Sequence, residues 1–217
     1  LSQGKKGDTF LYKINGEEIS IYIQPDGGFG TAYGKYQYTL DQFKNLMKYG
    51  EKMFEINFKV FEDDESENFI GEYGYFNFTI DNESYGIIIE EEIDDFSVSV
   101  YNWFTSFLKS LEILETENYV LINDIESFNT WIEMCRNKEI VSVSKVSGNK
   151  VGQGGWVRKE KLSDADYKFW KDKKVLFTHF RTEILEKSEE YLAELVKLNS
   201  LQNNNILELS DLVAKVK

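Results

Sequence analysis

The sequence predicts an α+β fold: an N-terminal, mostly antiparallel sheet (hairpin, short helix, three-stranded meander), then a long buried helix, then a mixed helix and hairpin second half ending in a long helix. Two observations carry this expectation. Apolar and polar residues alternate in short runs through much of residues 9–90, and from Phe96 the spacing lengthens to that of a helix. Strands and helices therefore come in segregated blocks, unlike the regular alternation of a doubly wound sheet.

Each element has its own signal. Thr9 to Ile14 and Ile19 to Gln24 alternate as strands, and Asn15-Gly16 between them tolerates the positive φ of a tight hairpin turn. Pro25-Asp26-Gly27-Gly28 and Gly30 to Gly34 read as a loop. Thr39-Leu40-Asp41-Gln42 has the form of a capping box for a short helix to about Tyr49. Phe54 to Phe61, Phe69 to Ile80 and Tyr85 to Glu90 read as the three meander strands, with EDDESEN and DNES as turns. Phe96, Val100, Trp103, Phe107 and Leu111 have helical spacing, with an end near Glu115. Beyond it come a strand at Tyr119 to Ile122, a helix containing Ile125, Phe128, Trp131, Ile132 and Cys135, and a strand at Ile140 to Val146. A loose turn, SGNKVGQGG, leads to a strand from Trp156 to Lys161. Ser163-x-x-Asp166 caps a short Tyr-Lys-Phe-Trp helix, a charged helix runs from about Arg181 to Leu201, and a last short helix starts at Ser210 after NNN. The organisation expected is an acidic subdomain over 1–115 and a second over 116–217, with one continuous domain as the alternative.

Composition narrows the chemistry. The chain has one cysteine, Cys135, and one histidine, His179, which excludes a disulfide framework and a Cys/His zinc site within one chain. The opening LSQGKKGDTF lacks the apolar core of a secretory signal and no stretch is apolar enough for a membrane span, so a cytoplasmic setting without membrane contact is expected. Lysine far outnumbers arginine, asparagine is common and Pro25 is the sole proline, a bias typical of AT-rich bacterial or phage genomes.

No catalytic pattern stands out. His179 lies between Phe177 and Phe180 and reads as a packed side chain, and Cys135 reads as a small core residue. GNKVGQGGW lacks the order of a phosphate loop, and Asp63-x-Glu65-x-Glu67 lacks the turn glycine and closing Glu of a calcium loop. Asp166-x-Lys168 and Glu160-Lys161 are fragments of a nuclease-like carboxylate set that a chain rich in Lys, Asp and Glu produces by chance. The expectation is a non-enzyme without cofactor or metal.

Charge is the strongest signal. The formal net charge is −13, and residues 55–95 alone hold 14 acids against the single Lys59, whereas residues 136–181 hold 12 Lys and Arg against 5 acids. The acids fall in three places: the turn with Glu62, Asp63, Asp64, Glu65 and Glu67; the turn with Asp81 and Glu83; and EEEIDD, that is Glu90, Glu91, Glu92, Asp94 and Asp95. Acidic residues at a strand end ordinarily solubilise a sheet and guard its edge. Here no opposite charges are interleaved, and like charges held together favour a cationic partner. On a strand, Glu90 and Glu92 would lie about 6.6 Å apart on one face, close to twice the roughly 3.4 Å between charges along a nucleic-acid strand. Tyr73, Tyr75, Tyr85 and Phe96 would add ring faces for lysine or arginine.

The sequence thus predicts an acidic binding protein that inhibits a basic partner, such as a nuclease or another nucleic-acid-binding enzyme, by occupying its positive surface as a nucleic-acid mimic, in the manner of immunity or phage anti-defence proteins. Two alternatives are open. A basic hairpin carrying Lys145, Lys150, Trp156, Arg158, Lys159 and Lys161 would hold a nucleotide or RNA. A stripe of Ile184, Ser188, Tyr191, Leu195 and Leu198 on the helix over 181–201 would support homo-oligomer assembly.

Overall fold

The computed structural model describes residues 9–14, 17–23, 29–31, 54–62, 69–150 and 155–217. The chain divides into two compact units, Leu1–Lys52 and Met53–Lys217. Residue 115 falls inside the second unit, whose core cluster runs from Phe54 to Val216. In the first unit, β1 (Thr9–Ile14), β2 (Glu17–Ile23) and β3 (Phe29–Thr31) form an antiparallel sheet in that order, with Ile14 opposite Glu17 as a two-residue connection requires. The connecting Asn15-Gly16 and the expected helix near Tyr49 lie outside the described residues.

Among its described residues the second unit holds two antiparallel sheets and three α-helices. The first sheet is built from β4 (Phe54–Val60), β5 (Tyr73–Ile80) and β6 (Glu83–Gly86), with β7 (Val98–Ser99) also pairing with β5. Asp81 and Asn82 both have positive φ, the conformation of a two-residue hairpin turn between β5 and β6. Helix α1 (Val100–Thr116) follows. The second sheet comprises β8 (Tyr119–Asn123), β9 (Thr130–Asn137), β10 (Ile140–Ser147), β11 (Val157–Arg158) and β12 (Lys173–Leu176) in the order β11-β8-β9-β10-β12. Helices α2 (Phe177–Leu198) and α3 (Asn204–Val216) end the chain.

Helix α1 packs on β5 of one sheet and β8 of the other, and α2 and α3 lean on it and on each other. It is buried on nearly every side, which explains its almost continuous apolar sequence. Ser99 caps it by accepting from Asn102 N, and the buried hydroxyls of Thr105 and Ser110 bond back to the carbonyls of Tyr101 and Ser106. Aromatic rings join the layers: Trp103 stacks on Phe76, and Phe104 stacks on Tyr191 of α2. Glu183 of α2 accepts Ile56 N at 2.8 Å, satisfying an amide of the edge strand β4.

Several sequence expectations need correction. Residues 130–137 are strand, not helix. Trp131 and Val146 belong to one cluster and Ile132 and Met134 to the main core, so both faces of β9 carry apolar residues and the period of two is hidden. Ile125 and Phe128 sit in the loop before it, exposed. No helix forms at Tyr167 to Trp170: Asp166 exchanges two backbone hydrogen bonds with Ser147, and Trp170 O accepts Lys145 N, so the segment lies along β10. NNN does not delay the last helix. Asn203 caps α3 by accepting from Asn205 N, so the helix begins at Asn204. Ile184, Ser188, Tyr191 and Leu195 are fully buried in the molecule's own core, which leaves that stripe unavailable as a coiled-coil seam.

The C-terminal end of α2 holds the turn before β5. Asn199 accepts Ile70 N through Oδ1 and donates to Ile70 O through Nδ2, at 2.9 and 2.8 Å, and the Tyr191 hydroxyl donates to Gly71 O. Ser188 Oγ is buried and has no partner among the described residues. Urea unfolding should therefore separate two variants. Asn199→Ala should lose about 1–3 kcal/mol, because it strands two backbone groups, while Ser188→Ala should be neutral or gain up to about 1 kcal/mol.

Candidate docking surface at the interrupted edge

EEEIDD does not end a core strand. Asn77 pairs with Gly86 at the end of β6, and Tyr73 pairs with Ser99 of β7. Moving four residues along β5, from Asn77 to Tyr73, would bring an unbroken partner strand from Gly86 to residue 90. Ser99 stands there instead, so nine extra residues are looped out of one edge strand. Residues 87–97 form this excursion. Gly86 permits the departure: its φ is +89° and a Cβ there would lie 2.0 Å from Phe76 O.

The excursion is fixed by a phenol. On β5, Phe76, Phe78 and Ile80 face the core, so the alternation of the strand sends Tyr75 to the opposite face. Tyr75 is nevertheless fully buried, with Phe61 packed edge-on against it at 4.9 Å. Its hydroxyl donates to Glu91 O at 2.7 Å and accepts from Ile93 N at 2.8 Å. Lys59, opposite Tyr75 on β4, donates to Glu90 O at 3.0 Å and pairs with the Glu92 carboxylate at 3.1 Å. That ion pair is solvent-exposed and worth at most about 1 kcal/mol, so the buried phenol is the stronger tie. A single 3-10 turn, Asp94–Phe96, returns the chain to β7.

A second segment flanks the excursion. Tyr85 of β6 donates to the buried Asp124, and Glu126 Oε1 accepts Ser99 N of β7 at 2.9 Å. The β8–β9 loop thus straddles the neck from which residues 87–97 emerge. Lys150 fastens this loop by donating to Asp124 O and to Ser127 O, and burial lowers its pKa. Next to the acids, the two segments display large apolar groups: Ile87 and Ile88 are 42% exposed, Phe96 54% and Phe128 100%, and Ile125 is also exposed.

The sequence-predicted acids separate on this framework. Glu90, Glu91, Asp94 and Asp95 are exposed on the excursion and form no ion pair among the described residues. Glu92 is matched by Lys59, and Glu83 by Lys173 at 2.8 Å. Asp81 and Glu83 occupy the β5–β6 turn, at the other end of β5 from Glu62, because consecutive turns of a meander lie at opposite ends of their shared strand. Asp63, Asp64, Glu65 and Glu67 lie outside the described residues. The acids are therefore not all gathered together, and Glu90 and Glu92 are not neighbours on a strand as the phosphate spacing required. Tyr75 and Tyr85 are engaged internally, leaving Tyr73 and Phe96 as the exposed rings. Ile125, Glu126 and Phe128 were not legible as part of this surface, since the sequence placed them on or beside a helix.

The basic segment is not a hairpin. β10 and β11 are separated by β9 and β8, and only Val157–Arg158 of the expected strand forms. Its side chains are already engaged: Lys145 lies over Tyr85 and Phe169, Arg158 beside Glu160 and Trp131, Lys159 against Glu117, and Lys161 over Tyr119. Trp156 is half-exposed. His179 is half-buried on α2, with its pKa lowered by burial. Cys135 is half-buried, and burial followed by the neighbouring Glu133 pushes its pKa up to about 11, so the thiol stays protonated. Glu133 is buried, with both oxygens accepting from the Tyr167 hydroxyl at 2.9 Å. Among the described residues no cluster of His, Cys, Asp and Glu could hold a metal ion, and no helix is long and apolar enough to cross a membrane.

No protein-family model matches the chain, and neither a curated protein nor a solved structure matches it. The surface must therefore be judged on its own geometry. Gly86→Ala should cost more than about 1–3 kcal/mol in urea unfolding, because it adds a close contact to an unfavourable φ. A cost below about 0.5 kcal/mol would mean that the departure at Gly86 does not depend on glycine.

Proposed function

We propose that the chain acts by association: the excursion and the β8–β9 loop form an acidic, apolar-centred surface that occupies the positively charged surface of a basic, nucleic-acid-binding partner and blocks it. The reading is of an inhibitor of the immunity or anti-defence kind, working in the cytoplasm without catalysis. The observation that carries it is the nine-residue interruption of an edge strand, which presents four carboxylates without an ion pair among the described residues together with Ile87, Ile88 and Phe96.

Magnitudes divide the labour. An exposed ion pair contributes about 0–1 kcal/mol, whereas burying a Phe or Ile side chain contributes about 1.5–3 kcal/mol. The apolar groups therefore supply most of the affinity, while the carboxylates steer the encounter and select a cationic partner. Channels that bind single-stranded nucleic acid combine basic residues with aromatic platforms. Such a channel offers partners for both kinds of group, with Phe96 in the place of a base and Glu90, Glu91, Asp94 and Asp95 in the place of phosphates.

Affinity capture from lysate of the native source would test this with three baits: wild type, a Glu90→Gln/Glu91→Gln/Asp94→Asn/Asp95→Asn variant, and Phe96→Ala. A basic nucleic-acid-binding protein should be retained by the wild type and lost or strongly reduced with each variant. Its association rate should fall about tenfold or more as salt rises from roughly 50 to 300 mM. Retention of the same partner by all three baits with unchanged salt dependence would remove the proposal.

A further inference from the structure

Strands β6 and β7 pair with one edge of β5 in different registers, and the segment between them contains a second candidate for the place that β7 holds. Carried past Gly86, the β6 register sets Ile87, Ile88 and Ile89 opposite Phe76, Tyr75 and Gly74. The first step of that continuation already exists, since Ile87 N donates to Phe76 O at 3.1 Å. The alternation of side chains would turn Ile87 and Ile89 towards the core with Tyr85 and Phe76, whereas Ile87 is now exposed. Ile89 would arrive opposite Gly74, where Val98 now stands and packs against that core. One β-branched apolar side chain would thus replace another, a change that a packed core accommodates.

The pairing that would be displaced is short. Only Val98 and Ser99 form β7, and Ser99 is secured from outside the sheet, by Glu126 accepting its N–H and by its own cap on Asn102 N. The excursion adds the two hydrogen bonds of the Tyr75 hydroxyl and the bond from Lys59 to Glu90 O. A further restraint is the charge itself. Glu90, the residue after Ile89, would fall opposite Tyr73 in the place of Ser99, which is buried beside Glu126. A carboxylate moved there is desolvated and meets a like charge. The acidic run therefore stops the extension of β6 at Ile89 and tips the balance towards the excursion.

We propose that residues 87–99 are a two-state element: a major state with the excursion out, and a minor state in which β6 runs to Ile89, β7 leaves β5 and the surplus residues lie between Glu90 and α1. In the minor state Ile87 is withdrawn from the surface and the Tyr75 hydroxyl gives up Glu91 and Ile93. On the docking reading above, a partner that grips the excursion draws on the major state alone, and extension of β6 competes with it. The register change itself does not depend on that reading.

Saturation-transfer and relaxation-dispersion NMR on the full chain reads such a minor state at populations of about 0.1–10%. Ile87–Ile89 and Val98–Ser99 should exchange together, with extended-strand Cα and Cβ shifts gained at the first segment and lost at the second. Tyr75→Phe, which removes the phenol's hydrogen bonds, and Glu90→Ser, which removes the buried charge, should each raise the minor population about tenfold. Ile89→Asn, which would set an amide against the core, should abolish the exchange. A minor state seen first in the two promoting variants supports the switch equally. A single state in the wild type and in both of them would overturn it. So would a minor state with unstructured shifts at Ile87–Ile89, or exchange that survives Ile89→Asn unchanged. The free chain alone is observed, so partner capture by the wild-type bait tests the docking surface separately.

Discussion

A tyrosine hydroxyl that faces away from the core and yet sees no water is the constraint on which the functional surface depends. The alternation of β5 puts Tyr75 on the outward face of its sheet, and a phenol buried there without partners would cost about 1–3 kcal/mol. The chain meets that requirement with its own backbone, bringing Glu91 O and Ile93 N over the sheet. To do so it must leave the edge of β5 at Gly86 and rejoin it at Val98. The acidic run is what lies between those two points. An edge that would otherwise offer a flat row of unpaired backbone groups is thereby interrupted and charged, which also discourages pairing with another chain.

Part of the charge in the sequence is matched within the molecule. Lys59 and Lys173 neutralise Glu92 and Glu83, while Lys145, Lys150, Arg158 and Lys161 are engaged with rings and carbonyls of the second unit. On the excursion four carboxylates form no ion pair among the described residues, and they are set beside exposed isoleucines and a phenylalanine. Charge alone would give a weak and salt-sensitive contact. The apolar groups beside it make the surface resemble the centre and rim of a protein interface.

Several strands and helices were legible in the sequence: β4, β5, β8, β10, α1 and α2 lie close to where the spacing of apolar residues puts them, α1 even though it is buried on nearly every side. β9 was misread because Trp131 packs on one face while Ile132 and Met134 pack on the other, so the spacing of Ile125, Phe128, Trp131 and Ile132 imitated a helix. Ile87 to Ile89 read as a core strand because apolar content says nothing about which groups end up outside. The excursion depends on a register difference between two strands nine residues apart in pairing, and local sequence carries no trace of it beyond Gly86. The contribution of Ile125, Glu126 and Phe128 rests on the contacts Tyr85–Asp124 and Ser99–Glu126, which link segments far apart in the chain.

The central claim is that one outward phenol orders the acidic excursion, and amide hydrogen exchange on Tyr75→Phe tests it most directly. Loss of its two hydrogen bonds should speed exchange of the amides from Glu91 to Asp95 about tenfold or more, since roughly 1.4 kcal/mol of local stability corresponds to a factor of ten. The interior amides of β4 and β5 should keep their protection. Unchanged exchange over Glu91 to Asp95 would contradict the account, because the excursion would then be held by something other than Tyr75.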